Sequence, residues 1–185
     1  MILKKVNGFF IGHFWVKFTV MKYVFTGPES SGKTSLATYS AARLGGTYVL
    51  ELAREYIENL NRPYEKEDLL VIAKEQFRLQ ELAKKKDGNL FLDTDLLTIK
   101  IWSEEKYREC DPWIFEKLEA NKDLLYVLCK PDFPWQFDPQ REHPNDQSRL
   151  FVEYENQLNR LNLNYVIAEG SIEERFKMIT SLKIH

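Results

Sequence analysis

Residues 27–34 read GPESSGKT and complete the pattern G-x-x-x-x-G-K-[ST]. Such a loop dictates its own surroundings. A strand must deliver it, and a helix must follow whose N-terminus faces a bound anion. Its glycines let the backbone approach phosphates with no Cβ in the way. The flanks comply. Met21–Thr26 is a short β-rich run, and residues 35–45 have helical composition and stop at Gly45-Gly46. Gly27, Glu29, Ser30, Ser31, Gly32, Lys33, Thr34 and Ser35 are therefore expected to bind the phosphates of ATP. Lys33 is expected to reach the β- and γ-phosphates, and the Thr34 hydroxyl to ligate Mg2+.

The rest of the chain alternates strand and helix signals. Further strands are expected at Thr47–Leu50, Leu90–Leu92, Leu124–Cys129 and Tyr165–Ala168. Helices are expected over 52–60, 65–86, 96–107, 113–120, 147–161 and 172–182. This order predicts an α/β fold, a five-stranded parallel sheet with helices on both faces. Ligands of such sheets lie at the carboxyl ends of the strands, where the polar motifs of this chain also fall.

Two acids end strands. Asp93 follows the apolar run Leu90–Leu92 and suits a Mg2+ ligand, with a helix N-cap as its plainer reading. Asp95 is the better placed cap of the two, and the alternative is that it faces the acceptor substrate. Glu51 ends Thr47–Leu50, with Arg54 one helical turn on. A carboxylate there can take the proton of an attacking hydroxyl or simply pair with Arg54. Residues 130–149 hold four prolines, at 131, 134, 139 and 144, and arginines at 141 and 149. A loop of about twenty residues inside a domain is usually functional, and this one is expected to be a lid. Arg141 and Arg149 would offset charge on a moving phosphoryl group. Trp135 offers an aromatic face to a flat ring, or else packs the loop down.

The chain has 185 residues, enough for one domain with a full core. It carries −2 overall and +3 in residues 1–20, so residues 21–185 carry −5. An acidic body argues against non-specific nucleic-acid binding. No apolar run reaches the ~18 residues of a membrane span, so no stable membrane insertion is expected. Cys110 and Cys129 have no metal-like spacing and suit a reduced, cytoplasmic protein. Residues 1–20 hold five aromatic residues, three lysines and no acid. They read as an N-terminal appendage to a domain over 21–185, or alternatively as an extra edge strand or a membrane-surface contact.

GPESSGKT, ELAREY at 51–56, DTD at 93–95, PDFPWQFDPQRE at 131–142 and the later Arg149 together resemble the ribosylnicotinamide kinase domain of the NadR-like P-loop family. The resemblance covers residues 21–185 and implies the P-loop NTPase fold of the nucleoside and nucleotide kinases. It implies transfer of the ATP γ-phosphoryl group to the 5′-hydroxyl of nicotinamide riboside, a step of NAD salvage, with Mg2+. It places Arg54, Asp95, Trp135 and Asp138 at the substrate, Asp93 at the metal, and Arg141 and Arg149 at the lid. Larger members of that family add a DNA-binding domain and an adenylyltransferase domain, so neither of those activities is carried over. A kinase for another nucleoside or small hydroxyl compound, and an ATP-gated switch without catalysis, remain the competing readings.

Overall fold

The computed structural model describes residues 20–133 and 146–181, together with the backbone of 8–11 and 14–17. The elements run β1 (Gly8–Ile11), β2 (Phe14–Lys17), β3 (Lys22–Thr26), α1 (Lys33–Leu44), β4 (Thr47–Val49), α2 (Leu52–Glu58) and α3 (Lys66–Lys84). They continue with β5 (Leu90–Asp93), α4 (Leu96–Tyr107), α5 (Pro112–Ala120), β6 (Leu125–Cys129), α6 (Gln147–Arg160), β7 (Tyr165–Ala168) and α7 (Ile172–Ser181). Strands β3 to β7 form one sheet in the order β4-β5-β3-β6-β7, and every pairing in it is parallel.

The central strand explains the layering. Parallel strands covered on both faces are apolar throughout, and in β3 Tyr23, Val24 and Phe25 are all buried. Side chains alternate between faces along a strand. Tyr23 and Phe25 accordingly pack with Leu36 and Ala37 of α1 and Ile179 of α7. Val24 packs on the other side with Ala53 of α2, Leu69 and Ile72 of α3, Leu97 of α4, Ile114 of α5 and Leu158 of α6. Each such fully buried Leu, Ile or Phe stabilises the fold by roughly 1.5–3 kcal/mol. The two apolar layers hold the sheet between helices on both faces.

Local signals set the helix ends. Glu65 and Asp68 form a reciprocal capping box at α3. Asp111 accepts the Trp113 N–H at 2.8 Å, and Pro112 opens α5. Strand β4 ends at Val49, not Leu50, whose exposed side chain has no core to join at this sheet edge. Strands β1 and β2 pair antiparallel with each other and form a separate two-stranded sheet. Neither is an edge strand of the five-stranded sheet.

Candidate active site

The strand register brings the site together. Phe25 of β3 lies opposite Asp93 of β5, so the Asp93 carboxylate stands one strand away from where β3 turns into the loop. Gly27 has φ +134°, and a Cβ there would lie 2.6 Å from the Cys129 carbonyl oxygen. Only glycine lets the loop pass β6 this closely. Gly32, at φ +81°, is the N-cap of α1 and offers no side-chain bond to the helix, which leaves its first N–H groups open to an anion. Lys33 donates to the Pro28 carbonyl at 2.8 Å, bridging the loop from one end to the other. A cavity of about 150 Å3 opens over this cradle, lined by Glu29, Ser30, Gly32, Lys33, Thr34, Ser35, Glu51, Arg54 and Trp102. Ser31, within the loop, is fully buried.

Asp93 is almost fully buried. One oxygen accepts the Tyr48 hydroxyl at 3.0 Å. The other, Oδ1, has no hydrogen-bond partner among the described residues. Burial pushes its carboxyl above the usual range, opposed by the nearby Thr34 hydroxyl and Lys33 ammonium. An orphaned carboxylate oxygen beside Thr34 fits Mg2+, which takes one or two protein oxygens and completes its shell with phosphate and water. Among the described residues, no group of three or more His, Cys, Asp or Glu gathers as a dedicated metal cage would require. Glu51 stands at the N-cap position of α2 without capping it. Burial raises its carboxyl too, with Lys33 the main opposing charge.

A second cavity of about 170 Å3 adjoins the first and shares Glu29 and Trp102 with it. Its walls are aromatic and aliphatic: Tyr64, Trp102 and Tyr154 with Ile57, Ile101 and Leu150. Pro28, Glu29, Glu105 and Lys106 complete it. The Lys106 ammonium lies 3.5 Å from the Tyr64 ring centroid. Nothing in the sequence marks Tyr64, Trp102, Glu105 or Tyr154 as site residues. They come from α4, α6 and the segment before α3, and aromatics at helical spacing look like ordinary core residues.

Asp95 occupies the capping position that its place in the sequence suggests. It caps α4, accepting the Leu97 N–H at 2.9 Å, and its other oxygen accepts the Tyr126 hydroxyl. It is buried and lines neither cavity. Arg54 is exposed at the rim of the phosphate cavity. Arg149 lies in the first turn of α6, so the segment expected as a lid becomes helical from Gln147. Its guanidinium makes two 2.8 Å bonds to Glu105 and a further contact with Asp146, and it does not line the phosphate cavity. The start of α6 still reaches the cradle, because Gln147 donates to the Glu29 carbonyl at 2.7 Å. Trp135, Asp138 and Arg141 lie outside the described residues. Both cysteines are free, and burial pushes each thiol up to about 11, which suits packing and not nucleophilic attack.

Among solved structures, a NadR protein in complex with NR superposes with a TM-score of 0.70 at 20% identity. The match covers 90% of this chain and 53% of that one. A NadR protein in complex with NAD and AMP-PNP gives 0.65 at 21% identity, over 90% and 51%. The deoxyadenosine kinase of M. mycoides, with dCMP and dCDP bound, gives 0.60 at 13% identity, over 86% and 97%. The chain thus spans about half the length of the NadR proteins it matches. No curated protein sequence matches it. In fold it agrees with the resemblance read from its motifs and has the nucleoside and nucleotide kinase form of the P-loop NTPase fold. A family model described as an AAA domain matches residues 22–175, which is most of the chain. The chain therefore belongs to the AAA domain family.

Proposed function

We propose that the protein is an ATP- and Mg2+-dependent kinase that phosphorylates the 5′-hydroxyl of nicotinamide riboside, giving nicotinamide mononucleotide in NAD salvage. The observation that carries this reading is the junction of the two cavities at Glu29 and Trp102. One has the chemistry of a phosphate site and the other that of a ring site, which is the arrangement a transfer between two bound molecules needs. An ATP-gated switch has no use for the second cavity. Three aromatic side chains with Glu29 and Glu105 suit a flat, positively charged pyridinium ring.

In this reading Gly32 and Lys33 hold the β- and γ-phosphates, and Lys33 follows the charge that develops during transfer. Thr34 and Asp93 would hold Mg2+, which supplies charge neutralisation between the phosphates. Glu51 takes the proton of the attacking hydroxyl, and Arg54 at the rim steadies the acceptor. By the resemblance, Trp135 and Asp138 would meet the acceptor, and Arg141 and Arg149 would serve the lid. No helix among the described residues is long and apolar enough to cross a membrane, and the two free thiols suit a cytoplasmic setting. One observation favours a different nucleoside. Lys106 already sits against the Tyr64 ring, where a cationic ligand would meet repulsion and a neutral base would not. The test is phosphoryl transfer from ATP with Mg2+ to a nucleoside panel that includes nicotinamide riboside. Highest kcat/KM for nicotinamide riboside supports the proposal, and preference for a neutral nucleoside replaces it with the second reading. ATP binding with no transfer to any acceptor leaves the switch.

A further inference from the structure

A charged side chain is rarely buried in full unless it is paired. Arg175, in the first turn of α7, is 1% exposed. Nothing in the stretch EGSIEER at 169–175 marks it from sequence. Its Nη1 donates to the Ser31 carbonyl at 2.7 Å, its Nε to the Gly170 carbonyl at 2.9 Å and its Nη2 to the Lys130 carbonyl at 2.9 Å. It also pairs with Asp132, whose second oxygen accepts the Gly170 N–H at 2.7 Å. The guanidinium lies 4.5 Å from the Phe133 ring centroid. One side chain therefore ties the phosphate loop to the end of β6, to the segment that leaves β6 and to the β7–α7 turn.

The bond to Ser31 has a directional consequence. In a planar trans peptide the C=O and the following N–H point in opposite directions. With the Ser31 carbonyl held by Arg175 beneath the loop, the Gly32 N–H points out of the other side, toward the cradle. Gly32 itself imposes little on this peptide, since glycine tolerates either orientation. We propose that Arg175 is a positioning residue of the phosphate site. It locks the Ser31–Gly32 peptide with its N–H toward the anion, and through Asp132 it couples that peptide to the segment leaving β6. Arg175 touches no phosphate in this role and acts through the loop backbone. The inference rests on the reading of Gly27–Thr34 as a triphosphate site.

The probe that isolates this role is inorganic tripolyphosphate with Mg2+, which carries no base or sugar. Its binding and that of ATP are measured by calorimetry, well below the melting temperature of each protein. Arg175→Lys keeps the charge and loses the fork. It is expected to weaken tripolyphosphate binding about tenfold or more, the scale of one charge-assisted hydrogen bond, and ATP binding by a similar factor. Millimolar guanidinium should restore part of the affinity in Arg175→Ala. Asp132→Asn lies nearer the surface and decides the matter if the Arg175 variants do not fold. It should weaken both ligands in the same direction, by a few fold. A purely structural arginine would lower the melting temperature and leave both affinities as in wild type, and that result overturns the proposal. Weakened ATP with unchanged tripolyphosphate overturns it too, because the effect would then lie on the base side. If wild type binds neither probe, the triphosphate reading of the loop is what has failed.

Discussion

Replacing Asp95 by Asn separates a capping role from a role at the acceptor. The carboxyl is 1% exposed, with one oxygen on the Leu97 N–H and the other on the Tyr126 hydroxyl. Burial pushes it from 3.8 to about 6, against those two bonds and the charge of Lys84. The fold thus favours the neutral acid. The stability this group contributes is complete below about pH 3.8 and is lost as pH rises through about 6. At about 1.4 kcal/mol for each tenfold change, the loss comes to about 3 kcal/mol by pH 7. Asn carries no charge to desolvate. Its oxygen can keep the Leu97 bond, while its amide must donate to the Tyr126 oxygen, a reversal costing about 1 kcal/mol. Asp95→Asn is therefore expected to be about 2 kcal/mol more stable than wild type at pH 7 and about 0.5 kcal/mol less stable at pH 4. Urea unfolding of both proteins from pH 4 to pH 8 reads the difference directly. It should climb between pH 4 and pH 7 and then level off. A difference that does not change with pH would refute the reasoning. Turnover should stay within a few fold of wild type, and a folded but inactive variant would return Asp95 to the substrate.

Lys33→Ala should lower kcat by about 10²–10³, the range for loss of one donor to developing charge, with little change in melting temperature; turnover near wild type would remove the loop from the phosphate site. Asp93→Asn should lower kcat about a hundredfold or more, without full rescue by added Mg2+, while the metal-free protein is no less stable because a buried charge is gone; unchanged kcat at limiting Mg2+ would make Asp93 structural. Glu51 is held above the usual carboxylate range by burial, so kcat/KM should rise with pH through a midpoint above that range, and Glu51→Gln should be slower and lose that limb; identical pH–rate profiles would exclude it as the base. Arg149→Ala breaks a half-exposed pair with Glu105, so stability should change by less than about 1 kcal/mol, while kcat should fall more than ATP affinity does; weaker ATP binding with kcat intact would place Arg149 at the nucleotide.

What the sequence displays of this site depends on whether a function is built from neighbours in the chain. The cradle is contiguous, since one loop supplies its glycines, its lysine and its helix N-terminus, and GPESSGKT announces all of it. The strands are legible for a related reason. In a sheet covered on both faces each strand is an unbroken apolar run between turn signals, and the observed strands differ from those runs only at single end residues, Met21, Leu50 and Leu124 lying just outside them. The two acids of DTD show where this ends. Asp93 closes β5 with one oxygen that has no hydrogen-bond partner among the described residues, and Asp95, two residues on, is turned into the core. Between them Thr94 has φ +66°, an orientation that a β-branched residue rarely adopts and that its identity does not signal. The ring cavity was invisible for another reason. Ile57, Tyr64, Trp102 and Tyr154 meet only where α2, α4, α6 and the segment before α3 come together in the folded chain. Arg175 is the extreme case. In EGSIEER it has the look of a solvated helix residue, yet its partners lie at positions 31, 130, 132 and 170. Burying its charge is tolerable only because four segments converge on it, and that convergence exists only in the folded chain.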